Sequence, residues 1–259
     1  MRTSFLLSAL ALILACAGAA HAEDYLVTVG GRMRLKPPYE GADSLHVVGV
    51  GILDLQPADK PYRYTAPDAG SVFDLVSNRR FTAGPVLNLR ASRSTSGRFA
   101  GLDRVGVAVE PGVFAGVWPT DWFTVWGQLR RGVAGHSGWV EDVGADFIYT
   151  GQRWDFSAGP RIGFGDAHYM NAYFGVTPEE ATRSALVHTV YAPSGGRRYT
   201  GGSLSAAYKL DRHWTTLVDL TYERLAGKPQ ASPIVQALGG RNQVIVGAGL
   251  TYTFGRVRF

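Results

Sequence analysis

Apolar and polar residues alternate along many short segments of this chain. In the last of them, Gln243–Phe254, one face carries Val244, Val246, Ala248, Leu250, Tyr252 and Phe254. Polar residues and glycines make up the opposite face, with Ile245 as its one apolar member. A period of two puts alternate side chains on the same face of a strand, and about 9–11 residues of tilted strand cross a bilayer. The pattern therefore predicts a membrane-crossing β-strand.

The same alternation occurs in nine further segments. They are Tyr25–Arg34, Leu45–Leu55, Arg80–Ala91, Arg104–Phe114, Trp122–Arg131, Trp139–Tyr149, Arg153–Gly165, Ser203–Leu210 and His213–Arg224. Tight turns join some of them, as at residues 150–152, and long polar connections join others, as at residues 165–202. Outer-membrane barrels separate short turns from long loops in this way, whereas a soluble β-sandwich has no reason to do so. We predict an all-β fold, a transmembrane antiparallel up-and-down β-barrel.

The number of strands depends on two less regular stretches. Residues 56–79 contain the runs Tyr62–Thr65 and Val72–Val76, which form either a strand pair or extensions of their neighbours. Residues 165–202 contain a helix start at Thr177-Pro178, and strand-like runs flank it at Tyr169–Val176 and Leu186–Ala192. Counting these two runs gives about 12 strands, and treating residues 165–202 as loop gives 10.

The N-terminus has the features of a secretory signal peptide. Arg2 precedes the apolar run Phe5–Ala17, and the small residues of Ala20-His21-Ala22 form a cleavage site before Glu23. We predict cleavage between Ala22 and Glu23, which divides the chain into a signal peptide, residues 1–22, and a barrel, residues 23–259. An uncleaved membrane helix is the weaker alternative because the apolar run is short of ~18 residues. Cys16 leaves a lipoprotein cleavage box as a further alternative.

The composition agrees with an exported, β-rich chain. Cys16 is the single cysteine, so the predicted mature chain forms no disulfide. The chain is 46% hydrophobic, with 33 glycines, 12 tyrosines and 12 phenylalanines, a bias typical of short strands. Its net charge of +5 indicates either soluble loops or contact with anionic lipopolysaccharide or cell-wall polymer, while the scattered arginines form no nucleic-acid-binding element. Signal peptide and barrel together predict the outer membrane of a Gram-negative cell.

Charged residues fall on the face opposite the apolar one, which is the predicted lumen. They are Arg32, Arg34, Arg90, Glu110, Arg130, Asp146, Asp155, Arg161, Asp219 and Glu223. A barrel of this size has a narrow interior. Charges of both signs therefore either pair and fill that interior or line a small polar channel.

No arrangement of residues predicts catalysis or a bound metal. His136-Ser137 is the only adjacent histidine–serine pair, and one dipeptide in a glycine-rich loop does not define a nucleophile and its base. Asp166 and His168 are close in sequence, but two groups do not complete a metal site. We expect a non-enzymatic protein without a cofactor.

Several motifs together resemble the MipA/OmpV family of outer-membrane proteins, the MltA-interacting proteins. The resemblance covers most of the predicted mature chain, and its closest segments are Pro38–Asp43, Gly84-Pro85, Gly132–His136, Gly159–Thr177 and Tyr222–Val235. Lys228-Pro229 stands where the family has a small acidic turn. Members usually finish at the Tyr-x-Phe of the last strand, whereas this chain continues to Phe259.

The resemblance implies a non-enzymatic scaffold that links a periplasmic murein transglycosylase to a peptidoglycan synthase of the penicillin-binding class. The alternative function is a small pore or uptake channel. Candidate partner contacts are the signature residues Tyr173, Phe174, Gly175, Thr177, Glu179 and Glu180. If both termini are periplasmic, a ten-stranded barrel puts this segment outside the cell. A twelve-stranded barrel instead makes Thr177–Ala181 a periplasmic turn.

Parity predicts where the last strand ends. A terminal aromatic residue serves as the assembly signal of outer-membrane barrels. Phe254 continues the face of Leu250 and Tyr252, whereas Phe259 has the opposite parity. Tyr252 and Phe254 are therefore the predicted assembly signal, and Gly255–Phe259 is a predicted periplasmic extension.

Overall fold

The computed structural model describes residues 24–58, 64, 66, 71–93 and 95–258. Its strands are β1 (Asp24–Lys36), β2 (His46–Pro57), β3 (Ser71–Val72), β4 (Val76–Ser77), β5 (Phe81–Arg90), β6 (Ala108–Thr120), β7 (Phe123–Arg131), β8 (Trp139–Thr150), β9 (Trp154–Gly165), β10 (Gly196–Lys209), β11 (Trp214–Leu225) and β12 (Asn242–Arg258). Its helices are a 3₁₀ turn (Gly97–Phe99), α1 (Ala167–Phe174), α2 (Pro178–Arg183), α3 (Lys228–Ala231) and α4 (Pro233–Leu238). None of these helices is long and apolar enough to cross a membrane. The predicted cleavage site at Ala22 and Glu23 lies outside the described residues, as does most of Tyr62–Thr65.

All neighbouring strands pair antiparallel, in the order β2-β1-β12-β11-β10-β9-β8-β7-β6-β5-β3, with β4 also paired to β5. β1 lies between β2 and β12, so the two ends of the described chain are joined in one sheet. The sheet curls into a half-barrel. Cα atoms of β2 and β3, at its two ends, approach within 8 Å, without a ladder between them in the described residues. The all-β prediction is confirmed.

Each of the ten alternating segments forms a long strand, but the prediction for residues 165–202 is wrong. Tyr169–Val176 is mostly helix α1, and Leu186–Ala192 contributes only the isolated bridge between Val176 and Tyr191. The two additional strands are β3 and β4, which arise from the Val72–Val76 run and pair with β5.

Local hydrogen bonding explains the helix at α1. The Asp166 side chain accepts a hydrogen bond from the Tyr169 N–H at 2.9 Å and so caps the first turn. The residues that α1 buries are Tyr169, Met170, Tyr173 and Phe174, at the spacing of one helical face. The predicted helix start at Thr177 is confirmed, because Thr177 and Glu180 form a capping box at α2.

Strand β12 does not end at Phe254. It continues to Arg258 and pairs there with the first residues of β1. A bulge lies between Leu26 and Thr28 of β1, which pair with Arg256 and Thr253, so β12 carries one extra residue. The predicted extension from Gly255 is therefore strand up to Arg258. Because the bulge reverses the alternation, parity no longer separates Phe254 from Phe259 as the assembly signal, which stays a prediction.

The outer wall of the sheet is apolar. Exposed side chains on it include Val113, Leu129, Leu204 and Val246. Aromatic rings concentrate near the short turns, where ring pairs lie at centroid distances of 4.9–6.0 Å, namely Trp122–Phe147, Trp154–Phe156 and Trp214–Tyr252. An apolar band edged by aromatic rings is the lipid-facing pattern of outer-membrane barrels.

Short and long connections lie at opposite ends of the strands. The short ones are residues 78–80, 121–122, 151–153 and 210–213, and we call this end the turn face. Asp24 and Arg258, the two ends of the described chain, also lie there. The connections at residues 37–45, 91–107, 132–138, 166–195 and 226–241 lie at the other end, the loop end, whereas the connection after β2 starts at the turn face. Thr177–Ala181 is therefore at the loop end. The predicted twelve-stranded arrangement, in which this segment is a periplasmic turn on the same side as the termini, is wrong.

Helices α1, α2 and α4 pack together at the loop end, and we call them the plug. Tyr169, Met170 and Phe174 of α1 form one buried cluster with side chains from β8, β11 and α4, among them Val140, Leu225 and Val235. A second cluster joins α2 and α4 to the neighbouring loops through Leu102, Val176, Ala181, Val187, Ile234 and Leu238. The plug is thus a folded unit with its own hydrophobic core.

Candidate functional site

Most predicted lumen charges are buried and lie in pairs between strands. Arg32 and Arg34 of β1 contact Asp219 of β11 at 3.5 and 3.2 Å. Further pairs, at 2.8 to 3.3 Å, are Arg90–Glu110, Arg130–Glu110, Arg161–Asp146 and Lys209–Asp155. Every pair joins different strands, so the inner wall is cross-linked by charges whose burial requires such partners. The exception is Glu223, which is half-buried and described below.

One carboxylate connects this network to the plug. Glu40 follows β1, and its side chain is 5% exposed. Arg198 Nη1 donates to both Glu40 oxygens, at 3.1 and 2.9 Å, and the Tyr169 hydroxyl also donates to Glu40. Arg90 Nη1 lies 3.6 Å from the same carboxylate. Glu40 therefore holds together the first loop, strands β5 and β10, and helix α1.

The loop around Glu40 has a conformation that requires glycine. Gly41 has φ +97°, and a Cβ there would lie 2.9 Å from Val235 Cγ2 of the plug. The Gly41 N–H donates to Gln243 Oε1 at 3.2 Å, while Gln243 Nε2 donates to the carbonyl groups of Ala42 and Gly240. These bonds fasten the first loop to the start of β12.

Two tyrosines of α1 face arginines of the wall. The Arg90 guanidinium carbon lies 5.3 Å from the Tyr169 ring centre and 5.7 Å from that of Tyr173, and the Arg198 carbon lies 5.1 Å from Tyr169. Such contacts attract a cation to the ring face. Burial raises the pKa of Tyr173 to about 12 and the pKa of Tyr169 well above its usual value, against the opposing effect of Arg90. Both phenols are therefore neutral.

Arg93 fixes the other end of α1. Its side chain is buried, and it donates to the Tyr173 carbonyl at 2.8 Å and to the Asp103 carbonyl at 3.1 Å. Glu180 of α2 accepts a bond from the Asp103 N–H at 2.7 Å. The connection between β5 and β6 is thereby bonded to both α1 and α2.

Two of the cavities inside the curled sheet lie near the plug and along β1. The smaller, of about 160 Å³, is lined by residues that include Lys36, Glu40, Arg198 and Glu223. We call it the sub-plug chamber. The larger, of about 630 Å³, extends along β1 from Leu26 near the turn face to Lys36, and it shares lining residues with the chamber. The lumen is therefore only partly filled.

The structure separates the histidine–serine pair. His136 Nδ1 accepts a bond from the Gly138 N–H at 3.1 Å, which leaves Nε2 to donate to Glu110 at 3.0 Å. The His136 ring is buried, whereas Ser137 is exposed. Both ring nitrogens are thus engaged away from the serine. Among the described residues, no group of three or more His, Cys, Asp or Glu side chains is arranged to hold a metal ion.

The predicted partner contacts are mostly internal. Tyr173, Phe174, Gly175 and Glu180 are buried within the plug, while Thr177 and Glu179 are exposed. The signature segment therefore forms the plug core. In the sequence, Glu40 stands out only as part of a matching segment, as does Arg93 after Gly84-Pro85, and no motif there includes Asp142 or Arg198. Asp142 lies on the same inward-facing side of β8 as Asp146, so the alternation pattern of this strand could have identified it.

Comparisons with known proteins give one family match and several structural matches. The family model described as MltA-interacting protein MipA matches residues 29–254. A channel of the Pseudomonas putida F1 outer membrane resembles the fold with a TM-score of 0.45 and 12% identity, over 91% of this chain and 97% of that one. The KdgM porin has a TM-score of 0.39 and 10% identity, over 89% and 99%. The Escherichia coli outer-membrane protease OmpT has a TM-score of 0.33 and 11% identity, over 90% and 96%. No curated protein matches the sequence significantly.

Proposed function

Since the chain belongs to the MltA-interacting protein MipA family, we propose that it is a closed outer-membrane barrel that docks a murein transglycosylase at its turn face. In this proposal the barrel catalyses nothing itself. It presents a surface in the periplasm, and a peptidoglycan synthase of the penicillin-binding class is the second partner of the same scaffold. A closed barrel requires that β2 and the β3–β5 end of the sheet complete the wall.

The observation that carries the proposal is the plug. A conducting barrel needs a continuous path, whereas helices α1 and α4 cover the loop end, and Glu40 and Arg93 bond the plug to the wall. Below the plug, ion pairs between adjacent or next-but-one strands line the inner wall. This construction favours a structural role over transport.

The turn face has the exposure and charge of a docking surface. Long loops of outer-membrane barrels are extracellular and short turns periplasmic, so the turn face is the part of the wall that a periplasmic enzyme reaches. Its short connections carry four exposed arginines and two aspartates, namely Arg79, Arg80, Arg153, Arg212, Asp121 and Asp211. A surface of this sign attracts an acidic partner.

Binding between the purified barrel and a soluble murein transglycosylase of the MltA type tests the proposal. We expect binding that weakens with salt, and that weakens about tenfold or more in a triple variant with Arg79, Arg153 and Arg212 changed to Glu. The matched control reverses three exposed arginines of the loop end, Arg104, Arg197 and Arg241, and keeps wild-type affinity. Equal loss in both variants, or no binding by the wild type, would contradict the docking site.

A small channel is the second candidate, because the cavity of about 630 Å³ runs along β1 towards the turn face. It requires a passage through the plug. Planar bilayer recordings decide between the two functions: the closed barrel predicts silence, and discrete conductance steps from the wild-type protein would establish the channel.

A further inference from the structure

Two ionisable side chains of opposite type line the sub-plug chamber without pairing. Lys36 at the end of β1 and Glu223 near the end of β11 are half-buried and line it together. Within the described part of the chain, neither has a hydrogen-bond or ion-pair partner. Glu40 and Asp142, the other carboxylates of the lining, are both bonded to Arg198. Burial without a partner disfavours the charged form of each group, so a ligand that supplies the opposite charge to both is favoured.

The strand register separates the two charges and puts an apolar side chain between them. Leu35 pairs with Val246 of β12, so Lys36 follows next to Ile245, and Glu223 pairs with Gln243. Lys36 and Glu223 therefore stand two strands apart and two residues offset along them, about 12 Å between backbones at ~4.8 Å per strand and ~3.3 Å per residue. Ile245, the one apolar residue on the inner face of β12, also lines the chamber.

We propose that the sub-plug chamber binds a small zwitterion of the amino-acid class with a short aliphatic side chain. The ligand carboxylate pairs with Lys36, its ammonium group pairs with Glu223, and its aliphatic carbon contacts Ile245. A volume of about 160 Å³ corresponds to roughly five waters at ~30 Å³ each, which restricts the ligand to a few heavy atoms.

The direction of access follows from the fold. The plug covers the chamber at the loop end, while the larger cavity shares Arg34, Lys36, Asn88 and Arg90 with it and extends towards the turn face. If the turn face is periplasmic, the ligand is a periplasmic solute. This site is separate from the turn-face surface and does not depend on the docking of a transglycosylase.

Titration calorimetry of the full mature protein in detergent tests the site with three probes: alanine, acetate and methylammonium. We expect saturable heat with alanine and binding about tenfold or more weaker with either single-charge probe, because each makes only one of the two ion pairs. Absence of alanine binding overturns the proposal. Acetate binding as tight as alanine binding also overturns it, since it would identify a simple anion site.

Variants test whether the measured alanine binding takes place in the chamber. Lys36→Met and Glu223→Gln should each weaken alanine binding about tenfold or more, and Glu223→Gln should leave the weak acetate binding unchanged. The matched controls are Lys228→Met and Glu179→Gln, the same substitutions at exposed positions of the loop end. Wild-type affinity in either chamber variant would contradict the assignment. If a chamber variant fails to fold, the comparison of the three probes on the wild type still decides.

Discussion

Glu40 gives the sharpest prediction about the plug, and we call its contacts with Arg198, Tyr169 and Arg90 the Glu40 clamp. In Glu40→Ala, Arg198 loses two hydrogen bonds of 3.1 and 2.9 Å, Tyr169 loses its hydroxyl acceptor and Arg90 loses a carboxylate at 3.6 Å. Removing one partner of a buried ion pair costs about 3–5 kcal/mol. Arg198 keeps Asp142 and Arg90 keeps Glu110, so we take the lower value, about 3 kcal/mol. The strands do not depend on this clamp, and the loss falls on the plug.

Hydrogen exchange of the detergent-solubilised protein measures this loss. About 3 kcal/mol corresponds to roughly 100-fold faster exchange of the α1 amides, including the Met170 N–H bonded to the Asp166 carbonyl, while the amides of β9 and β10 stay protected. Asp43→Ala is the matched control in the same loop. Asp43 pairs with Arg98 at 3.0 Å on the exposed rim, where an ion pair contributes less than about 1 kcal/mol. Unchanged α1 exchange in Glu40→Ala would refute the clamp.

Three further predictions concern the plug. Asp166→Ala removes the α1 cap, which costs about 1 kcal/mol, and should raise α1 exchange about fivefold. Burial raises the pKa of Asp166, but hydrogen bonds from backbone N–H groups outweigh burial and lower it overall. Wild-type protection of α1 should therefore fall as the pH drops below about 3.9 and through that lowered pKa, and a pH series on both proteins checks this. Gly41→Ala should destabilise the loop by roughly 1–2 kcal/mol, seen as faster exchange around residue 41, and wild-type exchange would refute the strain at φ +97°. A Tyr169→Ala and Tyr173→Ala double variant should conduct in planar bilayers where the wild type is silent; silence of both would show that α1 does not close the path.

The long strands were predictable because each carries a strict period of two over about ten residues. Membrane crossing demands that pattern from every strand, so Trp139–Tyr149 and Gln243–Phe254 are recognisable one at a time. The plug was not predictable in this way. Tyr169–Phe174 is aromatic and short, and its helical state depends on the Asp166 cap and on the cavity into which it packs.

Irregularities of the strands and long sequence separations explain why the positions of other residues were not predictable. Arg198 lies at a bulge between Arg197 and Tyr199, so continuing the alternation backwards from Ser203 assigns it to the wrong face. The bulge near Thr253 affects the end of β12 in the same way. The Glu40–Arg198 pair joins residues 158 positions apart, and no local pattern shows that they meet.

The most direct test of the account is photocrosslinking in cells from single positions on the two ends of the barrel. A photoreactive residue replaces Arg153 or Arg212 on the turn face, or Glu179 at the loop end, and captured proteins are identified by mass. If the turn face is the docking surface, a murein transglycosylase is captured from Arg153 and Arg212 and not from Glu179. Capture from Glu179, or failure to capture the enzyme from either turn-face position, would contradict it.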